Sequence, residues 1–138
     1  MKKVISTFLA VGVFMGLFVF PGMKIAAQEQ PSLQVGEAAV CLEVVNRECV
    51  DANILFPSNV GKLYCLTRIE GSSGSTEVAH VWYHNDEERA RIVLPVHSSV
   101  WRTYSSKIIQ QHEVGLWQVK VLDSEGKVLK VIEFQIAP

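Results

Sequence analysis

The chain has 138 residues, enough for one domain with a hydrophobic core but not for two. Its 13 basic and 14 acidic side chains give a net charge of −1, and the basic residues Lys2, Lys3 and Lys24 all precede residue 28. The part of the chain that follows is therefore acidic. Because nucleic-acid binding depends on a concentrated positive field, this balance argues against a nucleic-acid partner.

The N-terminal segment has the pattern of a secretory signal peptide. Lys2 and Lys3 precede the apolar run 4–20, and the helix-breaking Pro21-Gly22 leads to small residues that end at Ala27. We predict cleavage after Ala27 and an exported protein, periplasmic or extracellular. The run is just long enough to span a bilayer, so the alternative is an uncleaved membrane anchor formed by residues 4–20. Only in that case do we expect the protein to contact the membrane.

The rest of the chain predicts one all-β domain. The predicted organisation is a signal peptide or anchor over 1–27, a polar lead-in over 28–36 and a single domain over 37–138. Alternating apolar and polar residues predict seven strands, over 38–45, 63–70, 77–84, 89–96, 100–106, 117–121 and 128–136, with a loop over 46–59. Residues 106–113 fit either a strand or a helical turn.

Seven short strands in a domain of this size favour a two-sheet β-sandwich. An immunoglobulin domain has cysteines on its second and sixth strands and a tryptophan between them. Cys65 and Trp82 fit two of these positions, but the sixth predicted strand has no cysteine. The predicted fold is therefore an immunoglobulin-like β-sandwich, in which Trp117 shares an apolar face with Val119 and Val121 and belongs to the core.

The three cysteines, Cys41, Cys49 and Cys65, predict one disulfide in an exported protein. Spacing alone leaves all three pairings open, with one thiol left over. No metal site or cofactor is predicted. His80 and His84 look like a chelating pair, but on a strand they lie roughly 13 Å apart, too far to bind one ion.

The segment from Trp101 to Lys107 concentrates recognition chemistry in seven residues. On a strand, Trp101, Thr103 and Ser105 project to one side, and Arg102, Tyr104 and Ser106 project to the other. One of the two sets faces solvent. An outward Arg102 and Tyr104 would stack against a flat or sugar-like ligand and hydrogen-bond it. In the alternative, Arg102 pairs with an acid such as Glu70 and the rings cap the sandwich.

A candidate binding site combines this segment with the third predicted strand. Its members are His80, Trp82, Trp101, Arg102, Tyr104, Ser106 and Lys107. As a recognition surface, it requires Arg102, Tyr104 and Lys107 to be exposed and close to His80, Trp82 or His84.

Six segments, in this order, resemble the family called domain of unknown function 2914. They are CLEVVNRE (41–48), LYCLT (63–67), HVWYH (80–84), WRTYSSK (101–107), GLW (115–117) and GKVL (126–129). The resemblance implies a bacterial exported or membrane-attached protein and supplies no activity. The family pattern has proline where this chain has Cys49 and tryptophan where it has Tyr104. The first departure implies that Cys49 is the odd thiol and that Cys41 pairs with Cys65, which both lie in predicted strands.

We expect a non-catalytic binding or interaction module of the bacterial envelope, whose partner is an envelope glycan or protein. The first alternative is a structural spacer of the envelope. The second is a hydrolase that uses Ser105 or Ser106 with His80 and Asp86. No nucleophile-elbow motif supports the hydrolase, and a triad is defined by geometry that sequence does not supply.

Overall fold

The computed structural model describes Gly16, Pro21 and Gly22, and residues 32–138. The predicted signal segment therefore lies largely outside the described residues. Within them the fold is all-β, as predicted, with ten strands: β1 Gln34–Cys41, β2 Glu43–Val45, β3 Glu48–Val50, β4 Leu55–Pro57, β5 Lys62–Glu70, β6 Thr76–His84, β7 Glu87–Val96, β8 Val100–Ile108, β9 Gly115–Leu122 and β10 Val128–Ala137. No helix in this part of the chain is long and apolar enough to cross a membrane.

The strands form two main sheets and a separate hairpin. The front sheet has the order β1-β5-β8, and the back sheet has the order β4-β10-β9-β6-β7. All pairs are antiparallel except β4 with β10. Strands β2 and β3 pair only with each other and form the hairpin. The two main sheets pack in a sandwich-like arrangement, as the alternating pattern predicted.

The core lies between the front and back sheets. Each sheet contributes the apolar half of its alternating side chains, because successive residues of a strand point to opposite faces. The larger cluster includes Trp82, Trp117 and Phe134 from the back sheet and Leu63 and Cys65 from the front sheet. Trp117 is fully buried, which confirms its predicted place in the core.

Two-residue turns close two of the hairpins. Asn85 and Asp86 join β6 to β7 with φ angles of 46° and 65°, and Asn46 and Arg47 join β2 to β3 with 52° and 61°. Two consecutive residues with positive φ are the mark of the turn whose twist matches that of paired strands. Asparagine and aspartate tolerate this conformation better than most residues, which explains three of these four positions.

Several predicted boundaries differ from the structure. Strand β1 begins at Gln34, inside the predicted lead-in, and the predicted strand 38–45 is divided at Leu42. The predicted loop 46–59 contains β3 and β4. Residues 106–113 extend β8 to Ile108 and then turn, without a helix. A local hydrogen bond stabilises this turn: the backbone N–H of Gln110 donates to the Glu113 carboxylate at 2.8 Å.

The predicted pairing of Cys41 with Cys65 is wrong. Cys41 is bonded to Cys49, with 5.7 Å between the Cα atoms, and Cys65 is a free, buried thiol. In the register of β1 and β5, Cys65 lies opposite Val40, and Cys41 lies opposite Tyr64. An offset of one residue sends the two cysteine side chains to opposite faces of the sheet. Cys65 therefore points into the core, and Cys41 points out toward the hairpin.

Candidate functional site

The β2–β3 hairpin covers part of the outer face of the front sheet. At its base the disulfide ties β3 to the end of β1, and the Cys49 Sγ atom lies 3.8 Å from the Ala39 carbonyl. The hairpin also contacts β5, and its tip reaches β8, where Arg102 donates to the Arg47 carbonyl at 3.4 Å. Cys41 and Leu66 lie on this outer face and are nevertheless buried, because the hairpin lies over them.

The structure decides which side of β8 faces outward. Thr103 and Ser105 are buried between the sheets, whereas Tyr104 is 48% exposed, and Arg102 and Ser106 are partly exposed on the same side. The outer set is thus Arg102, Tyr104 and Ser106. The cause is the register with β5, in which Thr67 and Cys65, both buried, lie opposite Thr103 and Ser105.

Arg102 holds the hairpin tip to the front sheet. Its guanidinium lies 3.8 Å from the Glu37 carboxylate and 3.7 Å from the Glu48 carboxylate, and its side chain is 32% exposed. The predicted acidic partner, Glu70, instead pairs with Arg68 at 2.9 Å. Arg102 therefore belongs to an ion-pair network that also contains Arg68, and its charge is largely matched by acids.

Beyond the hairpin, the outer face of the front sheet carries two neighbouring tyrosines, of which Tyr104 is exposed and Tyr64 is partly buried. The rings of Tyr64 and Tyr104 lie edge to face, with centroids 6.1 Å apart, and the Lys62 ammonium lies 5.3 Å from the Tyr64 centroid. Ser106 is opposite Tyr64 in the register, and Ile108, 60% exposed, is opposite Lys62. We call the surface formed by Lys62, Tyr64, Tyr104, Ser106 and Ile108 the tyrosine face.

The remaining members of the predicted site on β8 do not join this surface, because Lys107 and Trp101 lie opposite the buried Leu63 and Ile69 and project to the other side of the strand. Lys107 is partly exposed at the end of the strand, and its ammonium donates to the Ile108 carbonyl at 2.8 Å. Trp101 is partly buried at the other end of the strand. Its ring lies between the His97 ring, 5.2 Å away, and the Arg47 guanidinium, 5.8 Å away.

His80 and Trp82 do not join the tyrosine face. Both are fully buried on β6 and point into the core. The His80 Nδ1 atom lies 2.7 Å from the Ser105 hydroxyl, and its Nε2 atom lies 3.0 Å from the Thr67 hydroxyl. The Trp82 indole donates to Ser105 at 3.1 Å. These contacts join the two sheets, so the structure places the predicted site residues on two sides of the front sheet.

One directional arrangement satisfies every group in this network. The Trp82 indole donates to Ser105, whose hydroxyl donates to the His80 Nδ1 atom; His80 Nε2–H then donates to Thr67. Thr67 completes the chain by donating to the Thr103 carbonyl at 3.4 Å. This arrangement requires a neutral imidazole. Burial lowers the pKa of His80 to about 4, which keeps the ring neutral at ordinary pH.

The network does not have the geometry of a catalytic triad. Ser105 and His80 are in contact, but the second nitrogen of His80 is occupied by Thr67, so no carboxylate orients the ring. Asp86 lies in the exposed β6–β7 turn. Ser105 is only 4% exposed, which keeps a substrate from its hydroxyl. Sequence reasoning missed Thr67, although alternation already placed it on the same face of β5 as Cys65.

A second buried polar group organises the loop before β9. Glu113 is 2% exposed, and its carboxylate accepts a hydrogen bond from Arg89 at 2.8 Å. The backbone carbonyl of Glu113 accepts a hydrogen bond from the Trp117 indole at 2.9 Å. The His84 ring stacks on the Trp117 ring with the centroids 4.8 Å apart, and its Nε2–H donates to the Val114 backbone carbonyl at 2.8 Å. These contacts are structural. Among the residues that the structure describes, no three or more His, Cys, Asp or Glu side chains are grouped closely enough to hold a metal ion.

Comparison with known proteins supports the family predicted from the six segments. Residues 75–136 match the model of a family described as a protein of unknown function, DUF2914. No curated protein matches the chain. A solved structure that resembles it, the selenomethionine-labelled β-glucosidase of Kluyveromyces marxianus, has a TM-score of 0.46 and 11% sequence identity. The similarity covers 78% of this chain and 14% of the β-glucosidase chain, so this chain corresponds to a small part of that protein.

Proposed function

We propose that this chain, whose residues 75–136 match the model of the domain of unknown function 2914 family, is a non-catalytic binding module of the bacterial envelope. The observation that carries the proposal is the tyrosine face. Tyr64 and Tyr104 present two rings and two hydroxyls on strands β5 and β8, which are paired along their whole length. Tyrosine combines a large apolar surface with a hydrogen-bonding group and loses little conformational entropy on binding, so it is enriched at binding hot spots.

The proposed partner is an envelope glycan or an envelope protein. An exposed ring can stack on the apolar face of a sugar or contact an apolar side chain, and the neighbouring hydroxyls supply orientation. A non-catalytic role agrees with the core network, in which Ser105 and His80 are both buried and each has a structural partner.

The topology and location also belong to this proposal. We infer an immunoglobulin-like sandwich in one domain over 37–138, preceded by a signal peptide that is removed after Ala27. The Cys41–Cys49 disulfide supports export, because disulfides persist in oxidising compartments. Mass determination of the N terminus in the native host tests the location. We expect the mature protein to begin at Gln28, and an intact Met1 in the membrane fraction would instead indicate an anchor formed by residues 4–20.

Retention of envelope material by the immobilised protein tests the binding role. We compare the wild type with Tyr104→Ala and with Tyr83→Ala, since Tyr83 is a partly buried tyrosine on the outer face of the back sheet. Tyr104→Ala is expected to weaken retention by about 1 to 4 kcal/mol, as at a binding hot spot, with nearly unchanged Tm. The Tyr83→Ala protein is expected to retain as much envelope material as the wild type does.

Equal retention by all three proteins, or by none of them, would reject the binding role. In that case the spacer function would be the better description, because the two tyrosines would have no partner.

A further inference from the structure

We propose that β8 is a dimer interface, at which it pairs antiparallel with β8 of a second copy of this chain and joins the two front sheets into one. This inference goes beyond the binding function, because it concerns the edge of the strand and not a ligand of the tyrosine face. It is carried by the backbone groups along that edge and by the side chains that the pairing brings together.

The main sheets end in four strands, β1, β8, β4 and β7, and three of them are protected against pairing with another chain. Bulges, proline and short length are features that protect natural edge strands. Strand β1 has a bulge between Val35 and Glu37, and β4 has three residues that end in Pro57. Strand β7 contains Pro95 and a bulge that leaves Arg89 unpaired. These three edges therefore discourage the addition of a strand.

Strand β8 has none of these three features. It is nine residues long, contains no proline, and pairs with β5 in one continuous register from Val100 to Ile108. A long, regular edge is a template for pairing with a further strand. Strand β8 is therefore the edge at which we expect another chain to add.

The hydrogen bonds at the ends of the β5–β8 ladder show which backbone groups are free. The Ile109 N–H donates to the Gly61 carbonyl at 2.8 Å, and the Gly71 N–H donates to the Ser99 carbonyl at 2.9 Å. Hydrogen-bonded and non-hydrogen-bonded pairs alternate along an antiparallel ladder. The odd-numbered residues of β8 therefore bond to β5, and the even-numbered residues direct their N–H and C=O groups to the free edge.

The middle of this edge has no bonding partner. The backbone N–H and C=O groups of Arg102, Tyr104 and Ser106 form no hydrogen bond with any residue that the structure describes. Near the two ends of the strand, edge carbonyls accept from the side chains of Ser98 and Lys107. An added strand would supply partners for the free groups in the middle.

A second β8 fits this edge in an antiparallel register that uses the whole strand. Tyr104 of one copy then lies opposite Tyr104 of the other, on the two-fold axis, and the even-numbered residues that face the free edge bond to each other. The other pairs follow from this centre: Val100 with Ile108, Trp101 with Lys107, Arg102 with Ser106, and Thr103 with Ser105.

The side chains of β8 suit this self-pairing. No cation meets a cation, because Arg102 and Lys107 lie opposite an uncharged serine and a tryptophan. Opposite like charges destabilise a pair of strands, whereas aromatic pairs and pairs of hydroxyls stabilise it. A register centred on Arg102 would instead place two guanidinium groups opposite each other. This charge pattern favours a second copy as the occupant of the edge.

The pairing also accounts for exposed apolar side chains at the two ends of β8. Val100 and Ile108 are 57% and 60% exposed, and both project to the outer face with Tyr104. In the dimer each Val100 lies opposite Ile108 of the second copy. Apolar surface that the single chain leaves in water is thereby partly buried.

The dimer would enlarge the tyrosine face. The two-fold axis passes between the two Tyr104 residues and is perpendicular to the joined sheet, so both copies present their outer faces on the same side. The two tyrosine faces then lie side by side. A ligand long enough to contact both would bind more tightly than to one.

Sedimentation equilibrium of the purified mature protein tests the dimer, and we expect a monomer–dimer equilibrium between about 10 µM and about 1 mM. Ser106→Lys places a lysine opposite Arg102 twice in each dimer, near the hairpin tip that carries Arg47, and should weaken the dimer about tenfold or more. Ser106→Glu should strengthen it at low salt and lose this gain at high salt. Ser73→Lys, in the exposed loop after β5, is the matched control and should dimerise as the wild type does.

A proline variant tests the backbone bonds separately. The N–H of Ser106 points to the free edge, so Ser106→Pro removes a bond of the dimer and none between β5 and β8. We expect a folded monomer, which circular dichroism distinguishes from an unfolded chain. If this variant does not fold, Ser106→Lys still decides the question.

Cross-linking with a short bismaleimide tests the register. Tyr104→Cys should cross-link to itself, because the two positions lie about 5.5 Å apart between Cα atoms. Val100→Cys and Ile108→Cys should cross-link when the two proteins are mixed, and neither should do so alone. Glu133→Cys, an exposed position on β10 of the back sheet, should remain a monomer in the same reaction.

A monomer over the whole concentration range would overturn the proposal and leave the edge to an extended segment of a different protein. A dimer that neither Ser106 variant changes, and that Tyr104→Cys does not cross-link, would also overturn it, because the contact would then use another surface. Ser106→Pro retains both tyrosines, so retention of envelope material by this monomer reports on the binding function independently of the dimer.

Discussion

Among single residues, the buried His80 is the group whose environment most affects how stability depends on pH. His80 has both ring nitrogens hydrogen-bonded to hydroxyls, one from each of two strands of the front sheet. Neutral donors and acceptors of this kind give a buried imidazole its partners without a charge. The network therefore joins the sheets at ordinary pH, and protonation works against it.

We predict that His80 makes stability depend on pH. Its pKa is about 4 in the folded protein and near 6.5 when unfolded, so the unfolded state binds more protons between these values. The stabilisation is fully present above the unfolded pKa and is lost as pH falls toward about 4, by up to about 3 kcal/mol. Urea denaturation of the wild type and of His80→Gln, from about pH 7 to about pH 4, measures this loss of stability. An equally steep loss in both proteins would show that His80 is not responsible.

Arg102 is the residue for which the two sequence interpretations differed most. Its side chain is partly exposed and lies between two exposed acids, Glu37 and Glu48. Ion pairs of this kind contribute little, so Arg102→Ala should lower the free energy of unfolding by about 1 kcal/mol. Arg91→Ala is the control, since Arg91 pairs with the exposed Glu88 on the back sheet. A loss of more than about 3 kcal/mol in a thermal melt would instead identify Arg102 as a buried, structural charge.

At the scale of elements, the β2–β3 hairpin is the part of the structure that depends most on a covalent bond. Three residues per strand are too few for a stable isolated hairpin. The disulfide, together with Arg102 at the tip, holds it against the front sheet. The hairpin thereby covers Cys41 and Leu66 and sets one boundary of the tyrosine face.

We predict that Cys49→Ser destabilises the protein by about 2 to 3 kcal/mol, because the bond closes a short loop in the unfolded chain. Denaturation with and without a reductant measures the effect, and a non-reducing digest should contain a peptide that links Cys41 to Cys49. Cys65→Ala is the control. The stability of the Cys65→Ala variant should still fall when the reductant is added, because this variant keeps the Cys41–Cys49 disulfide. A linked peptide that contains Cys65 would contradict the structure.

At the scale of the whole molecule, the free thiol lies in the core between the sheets. Cys65 is fully buried in the same cluster as Trp82 and Trp117, and burial raises its pKa to about 12. Both its enclosure and its protonation make it unreactive, because the thiolate is the nucleophile. Its exposure requires separation of the two sheets.

We therefore predict that Cys65 is alkylated only when the domain unfolds as a whole. In native buffer, iodoacetamide should leave it unmodified, and the modified fraction should rise with denaturant along the same curve as tryptophan fluorescence. Mass spectrometry of the modified peptide measures this fraction. Modification well before the fluorescence transition would show that the sheets open locally.

The all-β class and most strand positions could be predicted from the sequence, and the quoted segments pointed to the family whose model matches residues 75–136. These features depend on local periodicity: residues of β5, β7 and β10 alternate along most of their length, so one face is recognised without knowledge of its partner. The short strands β3 and β4 were missed because three residues carry too little periodicity, and pairing, rather than local pattern, makes them strands.

The register between neighbouring strands could not be predicted from the sequence, and this register determines which side chains meet. A shift of one residue between neighbouring strands exchanges the inner and outer faces, and spacing along the chain does not specify that shift. For this reason Cys41 pairs with Cys49 and not with Cys65, and His80 and Trp82 contact Ser105 in the core while Tyr104, one residue away, faces solvent. Tyr64 joined Tyr104 for the same reason, because alternation placed it on a face of β5 but only the register with β8 brought the two rings together.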